Sequence, residues 1–184
     1  MDTSGFRLEM GAAWLNLVTT LHGRRRDELR DRLATPADLG RFLNAVALAP
    51  QRRPDAEDLA AAHRLREALY DLARAVADGT PVPPPAVRTV NEFLSADVTP
   101  RLSGGADGVR ASRPADARKA LARLARQAAD QLGSTDRPRL RACGDDTCAG
   151  IFIDDSGRRR WCNDSRCGSR ARVQAHRARL RSRE

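Results

Sequence analysis

The sequence predicts a mainly α-helical protein with a minor β component (α+β), with a helical N-terminal unit over residues 1–136 and a small metal-held module over 137–184. Three observations carry that expectation. Aromatic residues make up only 4% of the chain, while Ala and Leu dominate the apolar set, a balance that suits helical packing rather than a β-sandwich. Capping residues stand directly ahead of several segments with helical apolar spacing. All four cysteines lie in the last quarter of the 184 residues, a length that allows one real core plus a small metal-held module.

A first helix is expected from about Glu9 to Leu21, with Trp14, Leu17, Val18 and Leu21 on one face and Gly23 beyond its end. Thr35-Pro36-Ala37-Asp38 reads as an N-cap, a proline at the first helical position and an acid in the first turn; the helix it starts turns Leu39, Phe42, Leu43 and Val46 inward. Arg53-Pro54-Asp55 opens the longest periodic segment, which carries Leu59, Leu65, Leu69, Leu72, Ala73 and Val76 to about Asp78 and stops at Gly79. Prolines from Pro81 to Pro85 separate it from a short helix holding Val87, Val90, Phe93 and Leu94. Between Val98 and Ala111 the helical pattern breaks, and Gly104-Gly105 and Gly108 between two short arms indicate a small hairpin. Arg113-Pro114-Ala115-Asp116 restarts a helix to about Leu132, and Gly133-Ser134-Thr135-Asp136 marks the boundary between the two parts.

Cys143-x4-Cys148 and Cys162-x4-Cys167 are two local thiolate pairs, and Zn2+ takes four such ligands tetrahedrally. One closed, structural zinc site is expected; four cysteines leave no open position for catalysis. Two disulfides are an alternative, although they suit small secreted domains and here a long cysteine-free stretch comes first. An iron–sulfur cluster or a redox switch would also take four thiolates, with the even spacing favouring zinc. Between the pairs, Gly150 to Ile153 and Arg158 to Trp161 flank an Asp-Ser-Gly turn and read as the arms of a hairpin, with Phe152 in the core and Trp161 packed beside the metal. From about Ser165 to Arg183 there is no proline and only Gly168, so a helix follows the last ligand. Knuckle, hairpin and helix is the treble-clef order.

The formal net charge is +9, and it is unevenly spread: residues 137–184 hold 13 basic against 6 acidic side chains, whereas 1–136 hold 20 against 18. Such a basic module favours a polyanionic partner. All basic residues but Lys119 are arginines, the better bidentate phosphate ligand. On the C-terminal helix, Val173, His176 and Leu180 share a face that is expected to dock on the zinc core. Arg170, Arg177 and Arg181 form one flanking stripe and Arg172, Arg179 and Arg183 the other, with Ala171, Ala175, Ala178 and Ser182 between them. A thin face edged by two rows of guanidinium groups suits a duplex groove. Arg158-Arg159-Arg160 adds a second basic cluster. His22, His63 and His176 are isolated and no phosphate-loop, nucleophile-elbow or dinucleotide motif is present, so an enzyme is not expected. Met1 to Met10 lack the pattern of a secretory leader, and no stretch approaches the roughly 18 apolar residues of a membrane span; a cytoplasmic location with reduced thiols is expected.

The string Cys143-x4-Cys148-Ala149-Gly150-Ile151-Phe152-Ile153-Asp154-Asp155-Ser156, followed by Arg159-Arg160-Trp161-Cys162-x4-Cys167-Gly168-Ser169-Arg170, resembles the CGNR zinc finger, named for a Cys-Gly-Asn-Arg signature. Upstream, Leu15-Asn16-Leu17-Val18-Thr19, Leu33-Ala34-Thr35-Pro36-Ala37-Asp38-Leu39 and Leu65-Arg66-Glu67-Ala68-Leu69 resemble the ABATE domain, which precedes that finger in bacterial stress-induced transcription regulators. The resemblance implies a mainly helical domain that binds an unidentified small-molecule ligand, joined to a treble clef that binds DNA. Ser169 stands where the signature has asparagine, which removes a bidentate amide contact there. The leading expectation is therefore a zinc-dependent regulator that binds duplex DNA; an RNA-binding module and a scaffold for another protein are the alternatives.

Overall fold

The computed structural model describes residues 5–26, 28–105, 108–134 and 139–181. Among these, the first helix α1 covers only Ala13–Val18, well short of the expected span. Side-chain hydrogen bonds set both ends. Asn16 Oδ1 accepts from the Met10 N–H at 3.2 Å, and the Thr19 and Thr20 hydroxyls donate to the carbonyls of Asn16 and Leu17. Such bonds offer the backbone an alternative to continuing the helix. Trp14, Leu17 and Val18 are buried as expected, and Leu21 passes instead into β1 (Leu21–His22), which pairs antiparallel with β2 (Arg30–Asp31). Two-residue strands carry no alternation for a sequence pattern to reveal.

The next helices follow their caps. In α2 (Pro36–Ala45) the Thr35 Oγ1 accepts from the Asp38 N–H at 3.2 Å and Asp38 Oδ2 accepts from the Thr35 N–H at 2.8 Å, a reciprocal capping box. Asp55 and Asp58 repeat it at the start of α3 (Ala56–Asp78), which ends at Gly79 in the left-handed region. Leu65, Leu69, Leu72 and Ala73 of α3 are buried, and α3 packs on α4 (Pro84–Leu94), where Val90 and Phe93 are buried and Val87 is exposed. The glycine-rich segment forms the expected hairpin, β3 (Leu102–Gly105) with β4 (Gly108–Ala111), and all of its residues are exposed. Asp116 caps α5 (Ala117–Gly133). Gln131 Oε1 on α5 accepts from the Trp14 indole at 2.6 Å, which locks α1 onto the bundle. Of the expected boundary, Gly133 closes α5, whereas Thr135 and Asp136 lie outside the described residues.

The C-terminal part departs from its expected hairpin. β6 (Ile151–Ile153) pairs with β5 (Leu140–Ala142), across the loop that carries Cys143 and Cys148, and not with Arg158–Trp161. That second segment covers the loop instead: the Gly144 N–H donates to the Arg160 carbonyl at 2.8 Å, and Arg159 donates to the Ile153 carbonyl at 3.2 Å. A single π-helical turn, Asp164–Gly168, leads into α6 (Ser169–Arg181). Ser182 and Arg183, expected on the same helix, lie outside the described residues.

One apolar core runs through both parts. Leu140, Ile151, Phe152 and Ile153 belong to the same buried cluster as Trp14, Leu65 and Leu69. The Ile153 N–H donates to the Met10 carbonyl at 2.9 Å. Gly11, at φ +93°, permits this approach: a Cβ there would lie 2.8 Å from the Cβ of Ile153, well inside van der Waals contact.

Candidate metal centre and basic surface

β5 and β6 bring the first thiolate pair into place. The Cys143 N–H donates to the Gly150 carbonyl and the Cys148 N–H to the Asp145 carbonyl, both at 2.8 Å. The second pair flanks the π-helical turn, whose first N–H groups are satisfied by Asn163: its Oδ1 accepts from the Arg166 N–H and its carbonyl from the Cys167 N–H, each at 2.9 Å. All four cysteines are free thiols, so the disulfide alternative does not hold. Their sulfurs lie within 4.8 Å of one another, with Cys148 to Cys162 at 3.7 Å and Cys162 to Cys167 at 3.6 Å. A tetrahedral zinc with Zn–S bonds of about 2.3 Å has sulfur–sulfur edges of about 3.8 Å. The four cysteines are positioned to bind one zinc ion.

Each sulfur also has an N–H donor. Gly150 N donates to Cys148 Sγ at 3.3 Å, Cys162 N to Cys143 Sγ at 3.5 Å, Arg7 to Cys162 Sγ at 3.0 Å and Arg170 to Cys167 Sγ at 3.4 Å. A four-thiolate zinc carries about −2 of charge, and two of the four donors are guanidinium groups. Burial works against the charge on Arg7, but the Cys162 and Cys148 sulfurs together with Glu9 outweigh it and hold the guanidinium above its ordinary value. The thiols are tightly coupled. Hydrogen bonds from Cys143, Cys162 and Cys167 drive Cys148 down, and those shared with Cys143, Cys148 and Cys162 drive Cys167 up. Four thiolates side by side need a cation. Close backbone approach at Gly150 is part of the fit, since a Cβ there would meet Cys162 Sγ at 3.0 Å and Cys148 Sγ at 3.2 Å.

The arginines divide into two groups. Arg170 donates to the fully buried Asp145 carboxylate at 2.6 Å, and Asp145 also accepts from Thr147 N and Oγ1 at 3.0 and 2.8 Å. Arg159 donates to the Ile153 and Cys162 carbonyls and lies 4.5 Å from the centroid of the buried Phe152 ring. Both brace the module from within. Arg160 and Arg172 approach the half-buried Trp161 ring at 5.3 and 5.6 Å, and Arg172 also meets Asp164 and the Ser169 hydroxyl. Arg158, Arg177, Arg179 and Arg181 are exposed, and Arg158, Arg177 and Arg181 have no ion-pair partner among the described residues.

The expected docking face of α6 is not formed. Val173 is 49% exposed and Leu180 51%, His176 is exposed too, and no residue of α6 is buried. The zinc core meets the N-terminal unit at Arg7 and Met10, whereas α6 continues from the π-helical turn with none of its residues buried. Sequence reasoning also missed Arg7, which is 155 residues from Cys162 and has no local signature, and Asp145. Asp145-Asp146-Thr147 is a turn pattern that could have suggested the carboxylate's role.

A closed four-cysteine site on a helical unit defines a zinc-finger protein. Comparison with family models agrees: the CGNR zinc finger model matches residues 139–180, and the ABATE model, described as a putative stress-induced transcription regulator, matches residues 11–135. The chain belongs to the ABATE family and carries a CGNR zinc finger. Neither a curated protein nor a solved structure matches it.

Proposed function

We propose that this chain is a cytoplasmic transcription regulator that binds duplex DNA through its zinc finger and responds to a small-molecule ligand through its N-terminal unit. The observation that carries the reading is α6, a helix rooted on the metal site, exposed from Arg172 to Arg181 and studded with Arg177, Arg179 and Arg181. Small residues Ala171, Ala175 and Ala178 on the same helix leave room for close approach to a groove. Arg158 and Arg160 extend the basic surface on the segment before the third ligand.

The role is one of binding rather than catalysis. His63 is engaged with the Leu33 carbonyl at 2.8 Å, and His176 is exposed on α6. No helix among the described residues is long and apolar enough to cross a membrane. The family's transcriptional description supports DNA over other polyanions.

Zinc-loaded protein titrated against labelled duplex DNA, with unlabelled duplex and structured RNA as competitors, tests the reading. Duplex is expected to compete better than RNA. Arg177→Ala with Arg181→Ala is expected to weaken duplex binding for all sequences alike without altering zinc content. Preferential competition by RNA would replace the reading with an RNA-binding one.

A further inference from the structure

A cavity of about 400 Å³ lies between the N-terminal unit and the finger. One wall is β1 with the loop leading to β2; the other is Thr147 to Gly150 with the π-helical turn. Among the described residues, seven arginines line it against one carboxylate, Glu28, and the Cys148 and Cys167 sulfurs of the metal site. Four of the seven are matched: Arg7 by the Cys162 sulfur, Arg24 by Glu67, Arg30 by Glu28 and Arg170 by Asp145. The other three have no anionic partner among the described residues. Among the described residues the Arg26 guanidinium meets only the Thr147 carbonyl and hydroxyl, at 3.2 and 3.1 Å, and Arg32 and Arg166 are exposed.

The interior agrees with this excess of positive charge. His22 in the wall has its pKa lowered to about 4, first by burial and then by Arg7 and Arg32, with Cys148 opposing, so its imidazole adds no positive charge near neutral pH. Arg24 stacks over Tyr70 at 4.2 Å, and its Nε is buried without a hydrogen-bond partner among the described residues. Val18, Leu21 and Tyr70 supply an apolar floor. Its volume is in the range of small-molecule sites, and its guanidinium-rich lining favours an anionic occupant.

We propose that this cavity binds a small, multiply charged anion bearing phosphate or carboxylate groups, held between Arg26 and Arg32 of the N-terminal unit and Arg166 of the finger. Guanidinium forks match both oxyanion types in bidentate geometry. Because its ligands come from both sides, the bound anion ties the β1–β2 loop to the metal site. That is a route by which occupancy alters how the finger is held, and it deepens, and for its regulatory meaning rests on, the ligand-responsive reading above.

The test is calorimetric titration of the full zinc-loaded chain at constant ionic strength, with fructose 1,6-bisphosphate as the phosphate probe and succinate as the carboxylate probe. At least one is expected to bind saturably. Arg32→Gln and Arg166→Gln are each expected to weaken that binding about tenfold, the scale of one lost charge-assisted hydrogen bond. Arg88→Gln, on the exposed face of α4, is expected to bind as the parent does. Absence of saturable binding by both probes, or parental affinity in both rim variants, overturns the proposal. So does a duplex oligonucleotide that displaces the probe while the same two variants lose duplex affinity by the same factor, since the cavity would then hold a backbone phosphate. The titrations contain no DNA, so their failure leaves the duplex-binding reading standing, and failure of duplex binding leaves them unchanged.

Discussion

Arg66 is almost fully buried in the middle of α3, and Asp31 Oδ1 and Oδ2 accept from it at 2.6 and 2.7 Å. The pair fastens β2 to the bundle and so sets the loop that faces the finger. Burial pushes the Asp31 carboxyl up, but hydrogen bonds from Arg66 and the Leu33 N–H outweigh it, with His63 nearby, and hold it below the usual carboxylate range. A depressed folded value means stability present in full above the unfolded value of about 3.9 and lost as pH falls through the lower folded value. Asp31→Asn is therefore expected to cost about 2 kcal/mol near neutral pH, the buried-pair penalty reduced for partial exposure. The gap to the parent in urea melts should narrow below about pH 4; a gap that stays constant to acid pH contradicts the assignment. At this scale the ligands are legible in the sequence because each thiolate pair is local. The groups that complete the site are not. Arg7 and Asp145 act through folded contacts, and nothing in the string of residues distinguishes Arg170, committed to Asp145, from Arg177, exposed on the same helix.

Among the elements, those with chemical punctuation are the legible ones. Thr35, Asp55 and Asp116 each cap the helix they announce, and Gly79 ends α3 where expected. Elements set by distant partners are not legible: β1 and β2 are two residues each, α1 is cut short by Asn16 and two threonines, and β6 takes β5 as its partner rather than the nearer arm. Amphipathic spacing on α6 misleads for a different reason: apolar residues at helical spacing define a face but not whether any surface meets it, and here Val173, His176 and Leu180 are all exposed. Val173→Ser and Leu180→Ser are accordingly expected to change stability by no more than about 0.5 kcal/mol, measured on zinc-loaded protein by urea unfolding. A loss of about 2 kcal/mol at either position would restore the docked face.

For the whole molecule, the shared core changes what metal removal should do. Spacing and composition alone suggest that a chelator unfolds residues from about 139 onward and leaves the helical unit intact. Structural zinc contributes an apparent 10 to 16 kcal/mol or so in small modules, and here Phe152, Ile151 and Ile153 sit in the same core as Trp14 and Leu65. Chelation is therefore expected to unfold the finger and also to lower the melting temperature of the helices, read by circular dichroism during heating; a helical transition unmoved by chelator would mean two independent units. The central claim, a zinc-held helix that grips duplex DNA by its arginines, is tested most directly by the salt dependence of duplex affinity for zinc-loaded protein. The expected log–log slope is about −0.9 per phosphate contacted, falling in magnitude by about one for each of Arg177→Ala and Arg181→Ala. Duplex affinity that is absent, or that does not change with salt, would contradict it.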